Sequence, residues 1–133
     1  MIPHNTEHRP KGGGLRGEAA GLAASFRYAG AGLWWAFKTQ RNLRVHVGLG
    51  LIASILALVL RFSPLEMAVL VLLMTVVIAL ELVNTVVEAA VDLASPAYHP
   101  LAKAAKDVAA GAVLVAALGA VVIGLLLFLP HLL

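Results

Sequence analysis

Residues 108–129 read VAAGAVLVAALGAVVIGLLLFL, an uncharged run of 22 residues that Pro130 ends. A helix needs about 20 mainly apolar residues to cross the hydrocarbon core of a bilayer. The run is therefore long enough to span a membrane. Lipid rather than water therefore surrounds most of this segment.

Two further apolar segments precede it. The first is uncharged from Val47 to Leu60, and the second begins after Ser63-Pro64, a pair typical of a tight turn that starts a helix. We predict three spans at about 43–62, 65–91 and 107–129. Hydrophobic residues make up 61% of the 133 residues and charged residues 13%, and a soluble domain of this size could not bury so much apolar surface. The predicted fold class is all-α integral membrane, with three transmembrane helices.

The basic residues predict the orientation. Seven of the ten Lys and Arg residues precede the first span, Arg61 lies near the first turn, and Lys103 and Lys106 precede the third span. Because cytoplasmic loops are enriched in Lys and Arg, we expect the N-terminus and the second loop in the cytoplasm and the C-terminus outside. The same bias accounts for the net charge of +3 without a nucleic-acid partner.

The N-terminal third is predicted to lie outside the bilayer core. Residues 1–16 are polar and are expected to form a disordered tail, followed by a single membrane domain at 17–133. Within it, residues 17–41 repeat apolar side chains at helical spacing, at Leu22, Phe26, Leu33 and Phe37. Basic residues interrupt this run, which is typical of a helix lying on the membrane surface. Such a helix is either a structural anchor or the wall of a groove through which lipid reaches a site.

A polar stripe interrupts the second span. Glu81, Asn84, Glu88 and Asp92 fall within about 80° of a helix circumference. Such residues at membrane depth are costly and face a bundle interior or a water-filled cavity. In the predicted orientation Glu81 is deepest and Asp92 lies about 16 Å nearer the cytosol, so the stripe can meet a lipid headgroup at one end and a soluble cosubstrate at the other. All-oxygen ligands favour Mg²⁺ or Ca²⁺; a proton or cation relay and polar contacts between subunits are the alternatives.

A second polar cluster precedes the third span: Tyr98, His99, Lys103, Lys106 and Asp107. Since consecutive spans form an antiparallel hairpin, this cluster should face the acidic stripe. Lysines beside a metal-binding stripe suit phosphate binding, whereas simple membrane anchoring, or an i,i+4 pair between Lys103 and Asp107, is the plainer interpretation. The sequence has no Gly-x-x-x-x-Gly-Lys-Ser/Thr loop, so a nucleotide site would not be of the P-loop kind.

Both clusters resemble one family. The segments Glu81-Leu-Val-Asn84-Thr-Val-Val-Glu88-Ala-Ala-Val-Asp92 and Tyr98-His99-Pro-Leu-Ala-Lys103-Ala-Ala-Lys106-Asp107 are similar to the signature of the prokaryotic diacylglycerol kinases, and the second is more similar to the undecaprenol kinase branch. The resemblance runs from about Ser25 to the C-terminus. It implies a homotrimer in the bacterial plasma membrane that uses ATP and Mg²⁺ and passes the γ-phosphate to a lipid hydroxyl.

The resemblance also implies residue roles. Glu81 would be the catalytic carboxylate that activates the lipid hydroxyl, and Glu88 would hold Mg²⁺ on the phosphates of ATP. The remaining residues would support the site (Asn84, Asp92, Lys103) or lie at the nucleotide (Lys106, Asp107, Tyr28, Tyr98, His99). One departure concerns Gln40, where the family usually has a glutamate that joins in metal binding; Gln keeps an oxygen ligand but loses the charge.

Three functions therefore stand as hypotheses. The first is a lipid kinase acting on undecaprenol, with diacylglycerol as the alternative substrate. The second is a small proton- or cation-conducting oligomer that uses the acidic stripe, which the apolar outer half of the second span disfavours. The third is a structural membrane scaffold, which gives no reason for two facing charged clusters.

Overall fold

The computed structural model describes residues 15–133, with side chains from residue 17. The described chain is all-helical: α1 Leu15–Thr39, α2 Arg41–Val59, α3 Pro64–Ala94 and α4 Pro100–Leu132. The last three helices are long and apolar enough to cross a membrane, which confirms the predicted fold class. Pro130 does not end the last helix as expected, because α4 continues through it to Leu132 and loses only the N–H of Pro130. The predicted tail, 1–16, lies outside the described residues except for Leu15 and Arg16, which begin α1. The chain divides into a first unit that ends at Trp35 and a second unit, Ala36–Leu133.

In the first unit, α1 presents large apolar side chains to its surroundings. Leu22 is 61% exposed, Phe26 71% and Leu33 52%. The guanidinium of Arg27 lies 5.4 Å from the centre of the Tyr28 ring. A helix with this many exposed apolar side chains is suited to a lipid interface; its position on the membrane surface stays a prediction.

The second unit begins with a break that the sequence analysis did not predict. We expected one helix over 17–41, but α1 ends at Thr39 and Gln40 is extended, with φ −97° and ψ 112°, before α2 begins. Arg44 fastens this junction, because its Nη1 donates to the carbonyl oxygens of Lys38 at 2.7 Å and Phe37 at 3.2 Å. These are carbonyls at the C-terminus of α1, where a cation interacts favourably with the helix dipole.

The turn between α2 and α3 is built as Ser63-Pro64 predicted. Ser63 is the N-cap of α3 and Pro64 lies in its first turn. The Ser63 hydroxyl accepts from the Glu66 N–H at 3.3 Å, and Glu66 Oε2 accepts from the Ser63 N–H at 2.7 Å, which is a complete capping box. The helix before the turn ends at Val59 rather than at the predicted residue 62, since Arg61 adopts a positive φ of 58°.

Two polar contacts align the α3–α4 hairpin. Lys106 Nζ lies 2.7 Å from Asp92 Oδ1, and His131 Nε2 lies 2.9 Å from Glu66 Oε1. They are separated by 26 residues on α3 and 25 on α4, or about 38 Å of helix. This exceeds the ~30 Å hydrocarbon core, so both pairs can lie at or beyond its edges. We call these the Asp92 end and the Glu66 end.

Aromatic packing closes the Glu66 end. The Phe62 ring, in the α2–α3 turn, lies 4.7 Å from the Phe128 ring and is stacked on His131, also at 4.7 Å. The turn, the first residues of α3 and the end of α4 are therefore packed as one cluster. It sits at the opposite end of the hairpin from the acidic stripe.

Helices α2 and α3 meet along narrow apolar faces. The buried residues of α2 are Leu43, Gly50 and Ala57. A Cβ on Gly50 would lie 2.6 Å from Cε of Met74, so the end of the Met74 side chain packs directly on this glycine. The short turn makes the helices antiparallel, and this contact indicates their register.

Glu66→Ala should destabilise the protein, because it removes one half of the capping box and the partner of His131. Loss of an N-terminal cap costs about 0.5–2 kcal/mol of unfolding free energy. SDS titration of purified protein in mixed detergent micelles measures the change. Glu66→Gln retains capping ability and isolates the His131 contact, and Thr75→Ala on the same helix is the control, expected within about 0.5 kcal/mol of the unmodified protein. Identical transitions for Glu66→Ala and the unmodified protein would contradict this role.

Candidate active site

The acidic stripe lies on α3 and becomes progressively more exposed toward the Asp92 end. Glu81 is 3% exposed and Asn84 7%, whereas Glu88 is half-buried and Asp92 exposed. A buried carboxylate and an exposed one thus belong to the same face, about 16 Å apart along the helix. Side-chain exposure along this face therefore increases from the buried middle of α3 toward the exposed Asp92 end of the hairpin.

Asn84 is the structural link within the stripe. Its Nδ2 donates to Oε1 of Glu88 at 3.0 Å, which fixes one carboxylate oxygen and leaves Oε2 of Glu88 for another partner. Its own Oδ1 is buried and has no hydrogen-bond partner among the described residues. Leaving a buried acceptor unpaired costs free energy, so this atom is poised to accept from a ligand.

Glu81 has ionisable neighbours on two helices. His46 on α2 and Glu88 on α3 are both near enough to interact with it electrostatically. Thr85, one turn beyond Glu81, is also buried, but its hydroxyl donates to the Glu81 backbone carbonyl at 2.9 Å and is satisfied within the helix. His46 is a residue that sequence reasoning missed as a candidate, since a single His in an apolar run has no partner visible in the sequence.

The second cluster faces the stripe, as the hairpin predicted. Asp92 is the acid that Lys106 contacts, so the two clusters meet directly across α3 and α4. Lys103 pairs with Asp107 one turn apart on α4, which is the plain i,i+4 pair that the spacing allowed. Both lysines therefore carry their charge beside a carboxylate at the Asp92 end.

A cavity of about 410 Å³ opens at this end. It lies under the loop that joins α3 to α4, where His99 caps α4 by accepting from the Leu101 N–H at 3.2 Å. Five predicted site residues line it together with Ser95, which the prediction had not included; the five are Asp92, Tyr98, His99, Lys103 and Lys106.

Five predicted site residues of the second unit do not line this cavity: Gln40, Asp107, and Glu81, Asn84 and Glu88 of the acidic stripe. Gln40 is half-buried at the α1–α2 junction, and Asp107 is exposed and paired with Lys103. Tyr28 belongs to the first unit, so its place beside the nucleotide stays a prediction. Within residues 17–133 no three His, Cys, Asp or Glu side chains form a metal-binding group.

The sequence matches the family model described as prokaryotic diacylglycerol kinase over residues 27–128. Among its relatives, a protein of Synechocystis sp. named diacylglycerol kinase is 50% identical over 116 residues, which are 86% of this chain and 66% of that protein. A Bacillus subtilis protein named undecaprenol kinase is 43% identical over 117 residues, which are 88% of this chain and 95% of that protein. A diacylglycerol kinase of Helicobacter pylori is 38% identical over 88 residues, covering 66% of this chain and 69% of that one.

The fold is thus that of a small helical membrane protein, and its paired polar clusters form a candidate site at one end of the α3–α4 hairpin. The chain belongs to the prokaryotic diacylglycerol kinase family, as its signature segments predicted. The relatives carry both substrate names, so family membership leaves the choice between diacylglycerol and undecaprenol open.

Asn84→Leu should reduce kinase activity by about 10- to 100-fold, the effect of losing one hydrogen bond to a charged group. Its effect on unfolding should be small, because the substitution also removes a buried acceptor that has no partner. Turnover and SDS-induced unfolding are measured on the same preparation. Thr85→Val, an equally buried neighbour, is the control and should retain turnover within about threefold. Full activity in Asn84→Leu would exclude Asn84 from the site.

Proposed function

We propose that the protein is an ATP-dependent lipid kinase that transfers the γ-phosphate of ATP to the hydroxyl of a membrane lipid. The proposed lipid is undecaprenol, and diacylglycerol is the alternative. One observation carries the proposal: the stripe runs from a buried carboxylate, Glu81, to an exposed one, Asp92, which meets Lys106. A site with this gradient serves an acceptor dissolved in lipid and a donor dissolved in water. Membership in a lipid kinase family supports the same reaction.

Glu81 acts as the base in this scheme. The O–H bond of the lipid breaks and its proton passes to the Glu81 carboxylate, while the lipid oxygen forms a bond to the γ-phosphorus. The bond between that phosphorus and the bridging oxygen breaks, and its electron pair leaves with ADP. A carboxylate is a weak base for an alcohol, so most of the acceleration comes from positioning the two substrates and from neutralising phosphate charge.

The residues around Glu88 fit Mg²⁺. Mg²⁺ is usually held by one or two carboxylates together with substrate phosphates, and Glu88 has one oxygen bonded to Asn84 and one available. The unpaired Oδ1 of Asn84 would be a further oxygen acceptor beside this carboxylate. When bound, the ion offsets the negative charge of the phosphates. Gln40 is the second proposed ligand, through its amide oxygen.

The cavity at the Asp92 end is proposed to receive the nucleotide. Lys103 and Lys106 supply positive charge for phosphate oxygens there, and Tyr98 is 80% exposed at its rim. Asp107 holds Lys103 in place. The N-terminus and this cavity would face the cytoplasm, where ATP is found, and the C-terminus would lie outside.

The active form is proposed to be a homotrimer. In the single chain, α4 buries little of its span; Val113 is its buried residue. Lipid or neighbouring copies must cover the rest, and small residues such as Gly111, Gly119 and Gly124 are compatible with close helix packing. Residues of a neighbouring subunit would then complete each site.

Glu81→Gln tests the base. It preserves size and a hydrogen-bonding oxygen but cannot accept the proton, so kcat should fall about 10²- to 10⁴-fold. Phosphate transfer from labelled ATP to undecaprenol in detergent micelles measures it. Thr75→Ala changes an exposed residue of the same helix that bonds only to the Val71 carbonyl, and it should keep activity within about threefold. Near-normal turnover of Glu81→Gln would remove Glu81 as the base.

Gln40→Glu tests the metal ligand at the position where the chain departs from its family. A carboxylate binds Mg²⁺ more tightly than an amide oxygen, so the Mg²⁺ concentration for half-maximal activity should fall, by about tenfold if the added charge contributes roughly 1.4 kcal/mol. Gln40→Ala should raise it. Titration of activity with Mg²⁺ at fixed ATP gives both values. Three identical titrations for the unmodified protein and the two variants would show that position 40 is not a ligand.

A further inference from the structure

An open apolar cavity of about 270 Å³ is lined by residues of α2, α3 and α4 and shares no residue with the cavity at the Asp92 end. Leucine, valine, alanine, glycine and other apolar residues from all three helices form its wall. His46 is the one lining residue with an ionisable side chain. A half-buried imidazole on an apolar wall is costly unless it has a polar partner, and the reaction proposed above does not use it.

The helix register places that partner on α3. Gly50 of α2 lies against Met74, and His46 is one turn nearer the start of α2. The two helices are antiparallel, so the α3 residue level with His46 lies one turn after Met74. That residue is Ile78, which also lines the cavity. Glu81 follows within the next turn, on the same face as Met74.

Burial agrees with this register. His46 lies on the face of α2 that carries the buried residues Leu43 and Gly50. Glu81 lies on the face of α3 that carries the buried residue Val77. The two faces pack on each other, and His46 and Glu81 are near enough to interact electrostatically.

We propose that His46 is a positioning residue for the catalytic base. In the substrate-loaded site, its ring N–H donates a hydrogen bond to one oxygen of the Glu81 carboxylate and leaves the other oxygen aimed at the lipid hydroxyl. Packed helix axes are about 8–10 Å apart, so the reach required favours Nε2, the more distant ring nitrogen. This inference rests on the proposed function, because it assigns His46 a role through Glu81.

The geometry explains why a histidine suits this position. A lysine or arginine there would place a permanent charge on the apolar cavity wall, which is expensive. A neutral imidazole still offers a donor. Glu81 is buried away from water. A donor on the facing helix can therefore orient its carboxylate without admitting water to the site.

The test compares two substitutions at one position. His46→Leu removes the donor and should lower kcat roughly 10- to 100-fold, the effect of losing a hydrogen bond to a charged group. KM for ATP should change less than about twofold, since the nucleotide cavity lies elsewhere. His46→Gln, which restores an N–H donor at similar reach, should recover most of kcat. Leu49→Ala, at another position on the cavity wall, is the control for loss of packing.

The same substitutions in the Glu81→Gln background separate this inference from the proposed function. If His46 acts through Glu81, then His46→Leu should lower the residual rate of Glu81→Gln by less than about twofold. The positioning role would be overturned if His46→Leu and His46→Gln lost the same amount of kcat. It would also be overturned if Leu49→Ala lost as much kcat as His46→Leu. Full activity of Glu81→Gln alone would instead overturn the proposed base.

Discussion

The alignment of α3 on α4 is the constraint on which the site depends. Lys106 meets Asp92 at one end, and His131 meets Glu66 at the other. Each pair is partly exposed, so neither contributes much stability by itself. Together they fix the register along about 38 Å of helix. With that register the acidic stripe and the basic cluster face each other. A shift of one turn would move Lys106 away from Asp92 and open the cavity that both residues line.

Buried polar side chains, which cost folding free energy, lie on the face of α3 that this register places in the candidate site. Glu81, Asn84 and Thr85 are buried polar residues on an otherwise apolar helix. Thr85 is satisfied by its own helix. The carboxylate of Glu81 and the unpaired oxygen of Asn84 are not explained by folding. Their cost is consistent with a site held ready for substrates, since strained or under-satisfied groups are expected where function requires them.

Much of this architecture could be predicted from the sequence because lipid imposes simple rules. Uncharged runs near 20 residues predicted three spans, Ser63-Pro64 predicted the first turn, and helical periodicity placed the acids on one face. The break at Gln40 was not predictable, since no Gly or Pro marks it. The Arg44 side chain that fastens it contacts carbonyls six and seven residues earlier, a spacing that is not a recognised helix-stop signal. The capping box was visible as Ser63-x-x-Glu66 and could have been found. The contact between Glu66 and His131 links residues 65 positions apart, and the placement of His46 within about one turn of Glu81 depends on helix register; neither leaves a local pattern.

The most direct test is phosphate transfer from labelled ATP by the purified protein, with undecaprenol and diacylglycerol presented separately in equivalent micelles. We expect Mg²⁺-dependent transfer to a lipid hydroxyl, with undecaprenol the preferred acceptor. Preference for diacylglycerol would keep the reaction and change the assigned substrate. Transfer to neither lipid would contradict the central claim, and ion flux through liposomes containing the protein without ATP would then favour the conducting oligomer.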